Sequence, residues 1–514
     1  MYADSSSAGP PVRWHDSGWN EIFVCLLIAA GFFVLLCATP DLPGGFDAYR
    51  HVKQASRYLT EPHEVFTNTW SLPYFWPKPV DAWFGFHILL LPLTTIFPPI
   101  TAIKLLASAL LGGIAYTLFL ILRHLGASHR TIWVLIALTG SSSALCRDTL
   151  TRPFLLSILL TLLALLFTLK QRPLALALVC AVHAASYSIF FLAALAPGIW
   201  LVLQRNRPAF RLAASAGAGV MAGLLLNPYF PENLRFDLVQ ASVTEIAARA
   251  HVEIGLELYP LSSWAFWTLS SLPVVSVWLV AVWFRIREAR NAQADLLLAA
   301  SAVTLLGTVR VGRTADFFVL FATLFAASVL TPKLAAWSRD LPYALAPMAI
   351  ACGIHVWLTY AYVIAAPPLE RYRNAAAYLR THAPGELVAN AKWADYQFLF
   401  FLNSSTRYVV GIEPTMLYMS DHRKYWLWRH MSDDETSTCG REQCQEGERT
   451  PIGQAMRAEL GAGYIFLQHL DNPKLERALR AEAGVTEVYR DPGVSLYRLD
   501  GARDHSARSA SAAN

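Results

Sequence analysis

The chain has 514 residues, of which 55% are hydrophobic and only 15% charged. A soluble globular protein carries about 25% charge, so this composition excludes a water-soluble fold over most of the length and points to a polytopic helical membrane protein. The formal net charge of +5 excludes little, because in such a chain the placement of charges, not their sum, carries the information.

Long apolar runs recur from Ile22 to about Ala365. The stretch before Asn20 is weakly charged, so no cleavable signal peptide is read and the first apolar segment is expected to be a retained helix. Just past it stands GGFDAYRH (44–51). The glycines allow a sharp turn, and DAYRHVKQASRYL reads as an amphipathic helix with Asp47 near its N-terminus, where a carboxylate caps the helix or favours its dipole. His51, four residues on, shares that face. The two could position a base or share a metal.

Short loops rich in Lys and Arg face the cytoplasm. The segments 123–130, 170–172, 205–211, 285–290 and 332–340 hold 12 Lys/Arg against two acids, Glu288 and Asp340. Fixing them inside predicts eleven spans, near 20–39, 99–122, 131–146, 153–169, 173–186, 188–204, 211–227, 263–284, 294–309, 315–331 and 342–365. The apolar run 83–97 then belongs to the first external loop, as an interfacial or re-entrant helix. Loops 40–98 and 228–262 are the long external ones.

Four arginines (Arg147, Arg152, Arg310 and Arg313) fall on the side where this rule disfavours them. Charge at membrane depth is expensive. They pair with Asp148 and Asp316 or snorkel, or else they form an anion site for a lipid phosphate or diphosphate. Asp47, His51, Asp148, Glu253 and Glu257 lie on the same side. A transporter places polar groups near the bilayer midplane. Lys104 and His183 lie instead near the external ends of their spans, which favours an interfacial active site over a conduit.

After Pro367 charged residues become frequent, and residues 367–501 read as a soluble α/β domain. Helical patterns at 370–382, 392–402, 452–460 and 473–483 alternate with the strand-like ELVAN, RYVVGI and GYIFLQ. A terminal hairpin turns at Asp491-Pro492-Gly493. CGREQC suits a local disulfide between Cys439 and Cys444, hence an oxidising compartment. Two free thiols are the alternative, and no second ligand pair for zinc stands nearby. The tail 502–514 is compositionally disordered. No phosphate loop, nucleotide fingerprint or serine elbow is present, which argues against cytosolic nucleotide sugars, and nothing points to nucleic acid.

An Asp directly after helix one, a large first external loop, a second acidic residue in the next external loop and a C-terminal external domain together resemble the GT-C glycosyltransferase superfamily. FDAYRHVKQASRYL looks most like the first-loop motif of oligosaccharyltransferase catalytic subunits, and CRDTLTRP occupies the place of their second acidic motif. WADY (Trp393, Asp395 and Tyr396 within it) is similar to their WWDYG motif, without the second Trp and the Gly. The resemblance implies Asp47 as the catalytic carboxylate, acting as base or metal ligand, and Asp148 as the second. Glu253 or Glu257 would complete a site for a divalent metal, Mg or Mn, held by hard oxygens. Arg147, Arg152, Arg310 and Arg313 would hold the phosphate of a polyprenyl-linked sugar donor. Trp70, Tyr74, Phe75, Trp76 and Trp83 could stack on sugars, although a membrane-interface belt has the same composition.

The expected protein is an inverting glycosyltransferase of a bacterial inner membrane, surrounded by membrane lipids, with its N-terminus cytoplasmic and its α/β domain periplasmic. Its acceptor is a protein, a lipid or a glycan. A phospho-group or lipid-modifying transferase on the same fold, a lipid or polysaccharide flippase and a non-catalytic scaffold are the alternatives.

Overall fold

The computed structural model describes residues 18–44, 46–67, 72–74, 78–259, 264–334 and 341–501. The membrane part is a helical bundle. Among the described residues, six helices are long and apolar enough to cross a bilayer, including Gly18–Leu36, Pro99–His124 and Leu345–Ile364, and six shorter apolar helices accompany them.

Ion pairs show how the helices run. Glu21, near the start of Gly18–Leu36, meets Arg123 at the end of Pro99–His124 and Arg130 at the start of Arg130–Thr139. Lys104, near the other end of Pro99–His124, donates to the Thr39 carbonyl at 2.7 Å. The first two long helices are therefore antiparallel. Arg285–Asp295, Lys333–Glu288 and the Gln293–His124 contact gather other basic turns at the Glu21 end. Loop one and the α/β domain occupy the opposite end.

Helix Phe84–Ile96 starts with Gly85 against Ser186, at the end of Pro173–Ser186, and leads through Phe97-Pro98 directly into Pro99–His124. Both of its ends lie at the loop-one end of the bundle, packed on the helix Phe46–Thr60.

Two expected single spans are broken. Segment 131–146 divides into Arg130–Thr139 and Ser142–Asp148 at Gly140-Ser141, where Ser141 caps the second helix by accepting from the Ala144 amide. Segment 263–284 divides into Trp264–Ser270 and Leu272–Arg285 at Ser271. The two breaks meet, with Ser141 Oγ and Ser271 Oγ 2.8 Å apart. A side chain at Gly140 would stand 2.8 Å from Val274. The break redirects the chain so that Arg147 points into the cluster described below.

The α/β domain carries a five-stranded sheet. Its strands are β1 (Leu387–Asn390), β2 (Arg407–Tyr408), β5 (Tyr464–Gln468), β6 (Val485–Arg490) and β7 (Val494–Leu499), while β3 (Ser437–Thr438) and β4 (Thr450–Pro451) form a separate ribbon. The order is β2-β1-β5-β7-β6, parallel from β2 to β5 and antiparallel thereafter. Asp491 makes the terminal turn, its carboxylate accepting from the amides of Gly493 and Val494. RYVVGI contributes only two strand residues, and helices Pro414–Ser420 and His422–Ser432 lie where no helix is expected from the sequence.

Helix Asp395–Leu402 of this domain packs across Phe46–Thr60. Phe398 lies 5.5 Å from Phe46 and 5.0 Å from Tyr49, ring centre to ring centre, and stacks on Tyr372 at 4.5 Å. Such aromatic pairs add to the burial of their own large surfaces. Asp41 ties the linker down by accepting from the Leu369 amide and the Tyr49 hydroxyl. One continuous apolar core thus runs from the bundle through loop one into the α/β domain.

Candidate active site

Asp47 is placed by a turn that only glycine fits. Gly44 has φ +41°, and a Cβ there would lie 1.6 Å from the Tyr362 hydroxyl oxygen. The helix starts at Phe46, which sets Asp47 in its first turn with a quarter of its side chain exposed. One carboxylate oxygen accepts from Gln397 Nε2 at 3.1 Å, and the other lies 3.3 Å from Arg152 Nη1.

Arg152 begins a chain of alternating charges. Its Nη1 also bonds Glu257 Oε2 at 3.2 Å. Arg147 Nη1 donates to the same Glu257 oxygen at 2.8 Å, and Arg147 Nε donates to Asp316 at 2.7 Å. Five residues from four segments therefore form one ladder: Asp47, Arg152, Glu257, Arg147, Asp316. Burial alone would raise the Glu257 carboxyl, but Arg147, Arg152 and Arg313 outweigh it and hold it down at about 2. Thr151, fully buried beside Arg152, has φ 53°, a conformation unfavourable to a β-branched residue.

Beside the ladder lies a cavity of about 330 Å³ lined by Arg147, Arg310 and Arg313 together with apolar residues that include Phe154, Leu192, Leu195 and Phe317. Arg147 stacks over the Phe154 ring at 5.2 Å. A mainly apolar chamber with guanidinium groups in its wall suits an anion carried on a hydrocarbon chain.

A third carboxylate reaches the site from the α/β domain. Glu413 accepts from the Gly255 amide at 3.3 Å. Burial, then the like charges of Asp47 and Glu257, push its carboxyl up to about 8. The three acids feel one another's charge, but among the described residues their oxygens are not gathered closely enough to share one cation. In this structure the guanidinium of Arg152 bridges Asp47 and Glu257 instead.

Other expected residues stand elsewhere. Asp148 is buried with no hydrogen bond or ion pair among the described residues, and its charged neighbours are Asp316 and Arg147, not Asp47. Glu253 pairs with Arg429 and accepts from Trp393 Nε1 at 3.3 Å, which places it at the α/β-domain junction. His51 does not face Asp47. It is buried, with Nδ1 2.9 Å from His87 and Nε2 3.2 Å from Arg50, and His87 in turn lies 2.5 Å from Asp81. With both ring nitrogens engaged in this relay, His51 offers no lone pair to a metal. The i, i+4 spacing correctly pairs residues on one side of a helix, but the helix rotates His51 into the loop-one core.

Trp393 and Asp395 line a cavity of about 450 Å³ with Glu253, Arg371, Lys392 and Arg429. Asp395 accepts from Tyr372 and Gln468 on one oxygen, and burial pushes its carboxyl up to about 7. Its other oxygen is buried without a hydrogen-bond partner among the described residues. Tyr396 turns away into the domain core, stacked on Phe400 and edge-on to Tyr408. Of the loop-one aromatics, Trp70, Phe75 and Trp76 lie outside the described residues. Tyr74 donates to the Leu460 carbonyl, and Trp83 is buried beneath Arg50. Cys439 and Cys444 form a disulfide.

No family model and no curated protein sequence matches the chain. Solved structures do. The apo oligosaccharyltransferase of Archaeoglobus fulgidus superposes with a TM-score of 0.62 at 12% identity, over 95% of this chain and 75% of that one. The same enzyme tethered to an acceptor peptide containing the NVT sequon gives 0.60 at 12%, over 95% and 74%. The enzyme with an inhibitory peptide and a dolichol-phosphate gives 0.59 at 11%, over 95% and 75%. A further structure of it, in complex with zinc and sulfate, gives 0.55 at 12% over 92% and 73%. At these identities the likeness is one of fold: the chain has a GT-C-like membrane domain and a C-terminal α/β domain.

Proposed function

We propose that this GT-C-like chain is a membrane glycosyltransferase that moves a sugar or glycan from a polyprenyl phosphate or diphosphate to a protein, lipid or glycan acceptor. The observation that carries this reading is the adjacency of the arginine-walled apolar cavity to Asp47, through the ladder Arg147–Glu257–Arg152. The solved structures of similar fold include a dolichol-phosphate complex and an acceptor-peptide complex, which supports a lipid-linked donor and leaves a peptide among the acceptors. The basic turns at the Glu21 end support a cytoplasmic location for that end under the positive-inside rule. The reaction then takes place on the external face of a bacterial inner membrane.

In the proposed reaction the acceptor's O–H or N–H proton passes to the Asp47 carboxylate, and the acceptor atom bonds to the anomeric carbon. The bond from that carbon to the phosphate oxygen breaks, and its electron pair leaves with the phosphate, giving inversion in one displacement. Arg147, Arg310 and Arg313 stabilise the charge that develops on the departing group. Glu257 replaces Asp148 as the second acid of the site, and it holds Arg147 and Arg152 in place rather than reacting itself. A divalent cation held by oxygen donors such as Asp47 would add positive charge for the leaving phosphate; one structure of similar fold is a complex with zinc.

Binding of a polyprenyl phosphate to the purified protein tests the donor assignment. Arg147→Ala and Arg313→Ala are each expected to weaken it by about tenfold or more, as loss of a charge-assisted hydrogen bond does. Unchanged affinity in both variants would contradict the assignment.

A further inference from the structure

Asp47 belongs to the membrane domain, yet one of its two oxygens is held by a side chain 350 positions later in the sequence. Gln397 projects from helix Asp395–Leu402 of the α/β domain and is fully buried. A carboxylate oxygen only accepts hydrogen bonds, so the amide NH2 must face it. The carboxylate torsion of an aspartate is broad when one oxygen alone is held. Here Gln397 holds Oδ1 and Arg152 approaches Oδ2, from different parts of the molecule, so the plane of the group is fixed.

The docking of the helix does not depend on this contact. Phe398 and Phe401, packed against Phe46 and Tyr49, carry it. A leucine at 397 would serve that packing without burying an amide. Instead Gln397 Oε1 lies buried with no hydrogen-bond partner among the described residues, a cost incurred beside a donor end that meets Asp47.

We propose that Gln397 is a positioning residue for Asp47, through which the docked α/β domain completes the active site of the membrane domain. Its catalytic consequence rests on the reading of Asp47 as the base; the contact itself can be tested without that reading.

The test uses full-length protein in detergent and two measurements. In sugar transfer from a synthetic polyprenyl-phosphate-linked sugar, Gln397→Leu should lower kcat by about tenfold, the scale expected for a mis-set reacting group, while KM for the donor stays unchanged. Gln397→Glu, which sets an anion against Asp47, should lower kcat further. A merely structural role would instead reduce the yield of folded protein and leave the kcat of the folded fraction intact. The second measurement is carbodiimide labelling of Asp47, read by mass spectrometry of the peptide. Labelling should rise severalfold in Gln397→Leu, because the amide that covers one carboxylate oxygen is gone and the group is open to the reagent. If Gln397→Leu does not accumulate, Gln397→Asn, one methylene shorter, carries the same two expectations. Wild-type kcat and wild-type labelling in a folded variant would overturn the proposal. Raised labelling in a protein that transfers no sugar, wild type included, would uphold the positioning role and overturn the glycosyl-transfer reading alone.

Discussion

Arg152 and Glu257 are joined at 3.2 Å, and the same guanidinium nitrogen lies 3.3 Å from Asp47. This one contact ties a turn after a broken helix, a long loop and the helix that follows the first span into a single electrostatic unit. Removing any one charge leaves its neighbour buried and poorly compensated, so the ladder responds as a whole.

Glu257 makes the ladder sensitive to acid. Its carboxyl is held at about 2 in the folded protein against an ordinary value of 4.5. A depressed acid contributes stability that is complete above its unfolded value and is lost as pH falls toward the folded one. Thermal melting of wild type should therefore lose stability between about pH 4.5 and 2, with Glu257→Gln less stable at pH 7 and flatter across that window. Parallel melting curves for the two proteins would show that the arginines do not hold Glu257 ionised.

Asp395 has the opposite sign. Burial raises it to about 7 from 3.8, so the stability associated with its protonated form is complete below pH 3.8 and is lost as pH rises toward 7. Asp395→Asn keeps the oxygen that accepts from Tyr372 and Gln468. It should be more stable than wild type at pH 8, by an amount on the order of 1–4 kcal/mol, with the gap closing toward pH 4. A gap independent of pH would contradict burial as the cause.

How much of this was legible in the sequence depends on how local each signal is. The positions of the helices, the α/β alternation and the prominence of Asp47 follow from apolar runs and from charges on one side of the membrane. Arg147 and Arg152 stand out because they violate a topological rule. The sequence does not tell Glu257 from Glu253, four residues earlier, and only the fold separates them, sending one to Arg147 and the other to Arg429. Glu413 and Gln397 carry no sequence signal, since they reach the site from a distant domain. Asp148 stands in the place of the second acidic motif by sequence, but nothing in an apolar run announces the break at Gly140-Ser141, beyond which its charged neighbours are Asp316 and Arg147. For His51, helical spacing says which residues share a side, not which way that side faces, and the ring meets His87 and Arg50.

Phe398 tests whether domain docking matters to the site. It is almost fully buried and meets Phe46, Tyr49 and Tyr372. Phe398→Ala should cost about 3–5 kcal/mol and loosen the contact between Asp395–Leu402 and Phe46–Thr60. Limited proteolysis near Pro367 should accelerate, and any transferase activity should fall although Phe398 touches neither the ladder nor the arginine-walled cavity. Unchanged proteolysis and activity would mean that the two domains hold together without this aromatic interface.

The proposed reaction turns on Asp47 acting as the base for transfer from a polyprenyl-linked sugar. The direct measurement is transfer of label from such a donor by the purified protein, wild type against Asp47→Asn, with folding checked by melting temperature. The amide keeps the shape and can still hydrogen-bond to Gln397, but it cannot take a proton, so transfer should fall by about 100-fold or more. Undiminished transfer by Asp47→Asn would show that Asp47 is not the base.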